Sequence, residues 1–499
     1  MADEDDFRSA MLNIRPGHTA LRRRRKAEAE REPAASSPPT DSDNSDYKAK
    51  LVVFSICMAL LSWALYYPYS SSLKLKGYRR QATEDLGTEK CFKTRGPSYC
   101  DDVQVHRLSG LAIFSCDTAK AVWNPPLGID NDTLIENSPR SGEIWVQDMR
   151  SATSSPKKLE IIGLTGAFHP LGIALFPYTD PNQPVRILVV NQANTTYSSV
   201  EVFEVKAAGN KLVHLRTITD PLFKNLYRLT ADPLQWTIDH ELPLPSFWVV
   251  QHHGYDQTER PHRRYFEDKL GLNAATAIYY NTPAETAEAN LWYLSSPSGI
   301  IVDTKEKSKR KVYVANSGSG SVEIYRNTLV SPENQLKTIE DKRTGQSGHV
   351  YWPSMIHQES SHFDAYPSGI ELAFLPNDEK KDGSTSTFTV ALPRYYELVD
   401  IAKDSAQKQN VSEKRTGTRV YRSFPELRWR ASHKAVLPEE HKLVPNFDEV
   451  TFWAPVQKLI FNNEDGSLFS GATSVAISED DNKMVLVGPY EEGILICSL

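Results

Sequence analysis

The segment VVQHHGYDQ at 249–257 sets two imidazoles and a carboxylate, His252, His253 and Asp256, within one short run. Histidine with carboxylate is a donor set for a transition metal and equally an acid/base pair acting on water. Rim residues hydrogen-bonded to loops are the commoner use of such a run. A third histidine, His169 in AFHPLGIALF, enters an apolar stretch, where a structural imidazole is commoner than a base. Other chemistry-bearing patterns are absent: the sequence holds no Gly-x-Ser-x-Gly elbow, His-Glu-x-x-His helix, phosphate-cradling loop or Cys-x-x-Cys pair. Of five cysteines, Cys57 lies in an apolar run. Cys91, Cys100, Cys116 and Cys497 form an even set that can pair in an oxidising compartment.

Strands must position these groups. Residues 189–205, VVNQANTTYSSVEVFEV, read as a β-hairpin: Val189 and Val190 close one apolar run, and Val200, Val202 and Val205 lie in the next. A glycine followed by alternating apolar residues recurs at Gly110, Gly172, Gly299, Gly369 and Gly471. If NLYRLTADP (225–233) is a diverged copy, the chain holds six units of roughly 60 to 70 residues, with an insertion in the fifth. With helical periodicity scarce, six such sheets predict an all-β, six-bladed β-propeller over 91–499. A large β-sandwich is the alternative. A ring needs fastening where its ends meet, and a Cys91–Cys497 bridge would tie first strand to last, leaving Cys100–Cys116 as a local bridge. Sequence alone leaves three pairings open.

The first 50 residues differ in kind. Acidic DEDD, the run Arg22–Arg25 and a Ser/Pro/Asp-rich stretch offer few large apolar groups, so a disordered tail is expected. The arginine run fits a nuclear import signal, a phospholipid contact or a retention signal of the endoplasmic reticulum, or simply a solvated basic run. Residues 51–69 are expected to form one transmembrane signal anchor, with Trp63, Tyr66, Tyr67 and Tyr69 as an aromatic belt, and 70–90 a stem. Sequons at Asn131, Asn194 and Asn410 all follow the anchor. With the cysteines they predict a type II protein of the secretory pathway, in the endoplasmic reticulum, with a lumenal propeller and a cytosolic tail. A formal charge of −6 over 499 residues gives no footprint for nucleic acid.

SGLAIFSC, LTGAFHPLGIALF with ILVVNQANTTYSSVEVFEV, and the C-terminal LIFNNEDGSLFSGATSVAISEDDNKMVLVGPYEEGILICSL resemble the paraoxonase/arylesterase family. That resemblance runs, with gaps, over 91–499. It implies a six-bladed propeller, the terminal disulfide, and calcium-dependent hydrolysis of lactones, aryl esters and some phosphotriesters, with a histidine pair helping to activate water. Calcium takes six to eight oxygen ligands at about 2.4 Å. The resemblance places one carboxylate for each of two calcium ions at Asp101 and Asp102. It places the remaining ligands on Tyr227 and Arg228, on Ser298, and around Pro367 and Ser368, and the two histidines on Leu171 and Gln192. An amide at 192 is no base near neutral pH. A cation at 228 repels calcium by several kcal/mol at an effective dielectric of ~20.

Two functional readings follow. One is a non-catalytic or functionally shifted propeller that binds an apolar small molecule or a protein in its tunnel, without a required cofactor. The other is an ester or lactone hydrolase whose site is rebuilt from Asp101, Asp102, His169 or His252/His253.

Overall fold

The computed structural model describes residues 41–499 except 79, 131–141, 152–153, 177–183, 195–196, 207–209, 237–243, 256–258, 273, 304–309, 328–335, 341–346, 352–354, 374–385, 409–412 and 433–448. Asp256, Asn131 and Asn410 therefore lie outside the described residues, as does most of the tail.

Apolar alternation in short strands gives six sheets arranged as blades, antiparallel except where Glu160–Ile162 runs parallel to Lys211–Ile218 at the edge of the second. Their inner strands are Cys100–His106, Pro170–Phe176, Leu226–Trp236, Pro297–Asp303, Tyr366–Ala373 and Ser474–Ser478. Each inner strand touches the next in a closed cycle around one axis. The expected hidden unit at 225–233 is the inner strand of blade 3. The fifth blade holds the insertion, comprising a helix (Tyr395–Lys408) and a long hairpin of Thr418–Ser432 with Glu449–Asn463. The hairpin expected at 189–205 is the Arg186–Asn191 and Ser199–Lys206 pair of blade 2.

Three recurring glycines have one physical cause. A Cβ on Gly172 would lie 2.6 Å from the Tyr227 carbonyl oxygen and 2.7 Å from Arg228 Cα, both on blade 3. Likewise Gly299 abuts Ile370 of blade 5, and Gly369 abuts Thr473 O of blade 6 at 2.5 Å. The wedge-shaped blades converge at the axis, and at these points only hydrogen fits between neighbours.

The ring closes where its ends meet. Cys91–Ser98 adds itself as the outer strand of the last blade beside Glu492–Ser498, with Cys91 in register with Cys497. Disulfides join Cys91 to Cys497 and Cys100 to Cys116, so the structure selects one of the three pairings.

The structure also bears on the expected stem and anchor. A helix, α1 (Asp41–Leu75), runs through the start of the expected stem at 70–90. Beyond α1 the chain lies along the propeller flank. Gly77 packs on Pro393, where a Cβ would meet its carbonyl oxygen, Tyr78 stacks on Tyr396, and Leu86 bridges to Asn462. Among the described residues, no helix is long and apolar enough to cross a membrane. The expected 51–69 span coincides with α1, and the side chains of 64, 65, 67 and 68 within it are outside the description. The chain divides at residue 65 into two units.

Candidate functional site at the propeller axis

The N-terminal ends of the inner strands converge on one small cavity, about 30 Å³, enough for one or two waters. Asp101, Tyr227, Ser298, Ser368 and Thr473 line it from five blades, together with His252 and Ser317. Pro126, Leu127, Leu392, Tyr395 and Leu398 are among its other lining residues. Leu127, Tyr395 and Leu75, at the end of α1, pack on the apolar cluster formed by Ile129, Tyr366, Leu392, Leu398 and Ile401.

Asp101 and Asp102 are both buried, and each faces a cation. Lys120 Nζ sits 2.5 Å from Asp101 Oδ2, with both side chains 2% exposed or less. Arg228 Nη1 lies 3.2 Å from Asp102 Oδ2. Asp102 also accepts Ser474 Oγ at 2.6 Å, its neighbour's N–H (Val103) at 3.0 Å and Ile173 N–H at 2.8 Å. The second guanidinium nitrogen of Arg228 donates to Asp101 O and, at 3.2 Å, to Thr473 O. Burial opposes the charge of Arg228, but Asp102, Tyr227 and Asp101 outweigh it and its pKa is raised. Arg228 therefore does not stand as an unmatched repulsive charge, as the alignment suggested. Sequence reading missed Lys120, whose position in DTAKAVW carries no recognisable signal.

The hydroxyls of the axis are spent on neighbouring blades. Ser298 donates to Pro367 O at 2.9 Å, Ser368 to Ala472 O at 3.1 Å and Thr473 to Asp101 O at 3.0 Å. Leu171 is buried core whose carbonyl accepts Ser115 Oγ. Gln192 is buried as well, and its carbonyl receives Trp123 Nε1 at 3.2 Å. Calcium needs several oxygens whose lone pairs point at one centre. Here two carboxylates are neutralised by fixed cations, and the hydroxyl protons already serve backbone carbonyls. The residues present do not fit the family's calcium ions, and among the described residues no cluster of three or more His, Cys, Asp or Glu could hold a metal.

The histidine candidates separate. His169 Nδ1 lies 2.9 Å from Asp117 Oδ2, both fully buried, and the ring packs against Trp123. His252 reaches the cavity. Its Nδ1–H donates to Pro297 O at 3.0 Å, which fixes the tautomer and leaves Nε2 as the basic nitrogen. Burial pushes its pKa down to about 4, so the imidazole is neutral at pH 7 and a weak base. His253 turns away, donating through Nε2 to Pro126 O at 3.2 Å. Its Nδ1 faces Asp268 at 3.5 Å and Glu267 at 3.9 Å. Burial lowers His253 well below its ordinary value and raises Glu267 to about 7. Both acids sit on α2 (Pro261–Leu270). Asn194, the one described sequon, is exposed.

A family model described as arylesterase matches residues 132–347. Mouse serum paraoxonase/arylesterase 1 is 29% identical over 189 residues, covering 37% of this chain and 47% of that protein, so this match spans about half of the relative. Rat serum paraoxonase/arylesterase 1 is 26% identical over 284 residues, covering 56% and 70%. Human serum paraoxonase/arylesterase 2 is 25% identical over 273 residues, covering 54% and 67%. With the six blades, these similarities support a likeness to the paraoxonase/arylesterase family, from which the chain has diverged.

Proposed function

We propose that this protein is a membrane-anchored, paraoxonase-like propeller of the secretory pathway that binds a small, largely apolar molecule at its axis instead of hydrolysing esters with calcium. The observation that carries this reading is the pairing of Asp101 with Lys120 and of Asp102 with Arg228. A metal would have to displace both cations from buried partners and leave them unpaired. Support for a ligand comes from the cavity wall, where Leu127, Leu392 and Leu398 face a neutral His252 and the phenol of Tyr227; because the cavity as it stands has room for only one or two waters, a ligand enters by moving these side chains apart.

Support for the anchor comes from α1. Leu51, Val52, Val53 and Phe54 are consecutive and all exposed, as are Leu60, Leu61 and Trp63. A helix that is apolar on every side needs a non-aqueous surrounding. The endoplasmic reticulum, with the tail cytosolic and the propeller lumenal, fits the two disulfides and the exposed Asn194.

A second reading rests on His252, whose free Nε2 shares the cavity with Asp101: a hydrolase with a rebuilt, metal-free site. The deciding experiment uses the full-length, metal-stripped protein with phenyl acetate and a short lactone, with and without calcium, alongside calcium calorimetry. No calcium heat and no turnover is the expected result. Calcium-dependent turnover abolished by Asp101→Ala would overturn the proposal. Metal-independent turnover abolished by His252→Ala would replace it with the second reading.

A further inference from the structure

The misfit with calcium leaves a question: two carboxylates buried side by side on a propeller axis repel each other and need positive charge between the blades. We propose that Lys120 and Arg228 are permanent internal counter-cations that perform this electrostatic work, so that the ring holds its axis together without any metal. This deepens the proposed function and rests on the same pairs, but concerns the chain whether or not it turns over a substrate.

Three observations carry it. Each cation is assigned to one carboxylate, at 2.5 Å and 3.2 Å, with all four side chains 5% exposed or less. Arg228 also ties three blades together, from its place on blade 3 to Asp101 and Asp102 on blade 1 and Thr473 on blade 6. Such bridging across the axis is the geometry a central ion provides. Finally, Lys120 is aimed by a dedicated turn. Lys120 N–H donates to Asp117 O at 3.2 Å, and Asp117 Oδ1 accepts Ala119 N–H at 2.9 Å. The other oxygen, Oδ2, is held by His169 at 2.9 Å. His169 thereby acquires a role: it is a positioning residue for the turn that delivers Lys120.

Thermal unfolding of the full-length protein tests this with a chelator, with millimolar calcium and with neither. The wild type is expected to melt at the same temperature, within about 1 °C, in all three. Arg228→Met, which keeps the stem and removes the charge, should melt about 3–6 °C lower. Arg228→Asp, which adds a third carboxylate, should be destabilised further in chelator and regain at least half of its loss in calcium. His169→Gln should lower the melting temperature by less than Arg228→Met and remain insensitive to calcium. A wild type that loses stability in chelator overturns the inference, and so does an Arg228→Met variant that melts like wild type. Should Arg228→Asp fail to fold even in calcium, the wild-type and Arg228→Met measurements decide alone. A wild type indifferent to calcium that nonetheless hydrolyses esters sinks the proposed function and leaves this inference standing.

Discussion

Replacing Lys120 with Met removes a charge from a pair that is almost wholly withheld from water, at 2.5 Å from Asp101. Methionine fills most of the space, so the cost is electrostatic. At an effective dielectric of about 20 the lost attraction is about 7 kcal/mol, partly offset by no longer burying an ammonium. An orphaned buried carboxylate has one escape, protonation. For an ordinary aspartate that costs about 4 kcal/mol at pH 7 and about 1.4 kcal/mol less for each pH unit below. Lys120→Met should therefore lose about 3–4 kcal/mol at pH 7 and under half of that at pH 5. Adding Asp101→Asn should restore most of the loss at pH 7, because the charge is then gone while the Asp101 carbonyl keeps its bonds to Thr473 and Arg228. Reversible urea unfolding of the single variants and the double variant, at both pH values, measures this as a double-mutant cycle. A loss below about 1 kcal/mol at pH 7, a loss independent of pH, or a double variant no better than Lys120→Met would refute the argument.

Gly172→Ala should destabilise by about 2–4 kcal/mol, because its Cβ would collide with backbone atoms of Tyr227 and Arg228 and push the inner strand of blade 3 outward; Gly166→Ala, whose Cβ meets nothing but whose φ is +90°, should cost less, and equal losses at the two sites would contradict the close-approach argument. Cys497→Ser opens a bridge spanning 406 residues and should cost about 2–5 kcal/mol, read as a lower denaturation midpoint with the ring's blade-6 amides losing hydrogen-exchange protection first. Glu267, raised by burial from 4.5 to about 7, binds its proton more tightly when folded, so the native state is favoured below pH 4.5 and that advantage is lost as pH rises through 7. Glu267→Gln should accordingly flatten the melting temperature between pH 5 and 8, and an unchanged slope would rule out Glu267 as its source.

The strand pattern and the glycine spacing were readable because they answer to local rules. Alternation marks a half-buried strand, and Gly172, Gly299 and Gly369 recur because each inner strand meets the next blade at the same place. Even the diverged third unit kept its strand, although Arg228 stands there in place of a small residue. The terminal disulfide followed from the need to close a ring. How residues 77–86 hold to the flank was not readable, since that depends on contacts such as Tyr78 with Tyr396 that lie hundreds of residues apart.

The electrostatics of the axis belong to the tertiary structure. In the sequence Arg228 is only a cation at a calcium position, and Lys120 only a lysine in a loop. Folding brings Lys120 to Asp101 within blade 1, and Arg228 across the axis to Asp102, 126 positions away in sequence. The sequence by itself pointed to six sheets and to a way of closing them, and the resemblance placed other residue types at the parental ligand positions. Whether the axis carries an unmatched charge or paired ones depended on side-chain reach between blades, because a charge buried at 3 Å from its partner and one left alone read identically in one dimension.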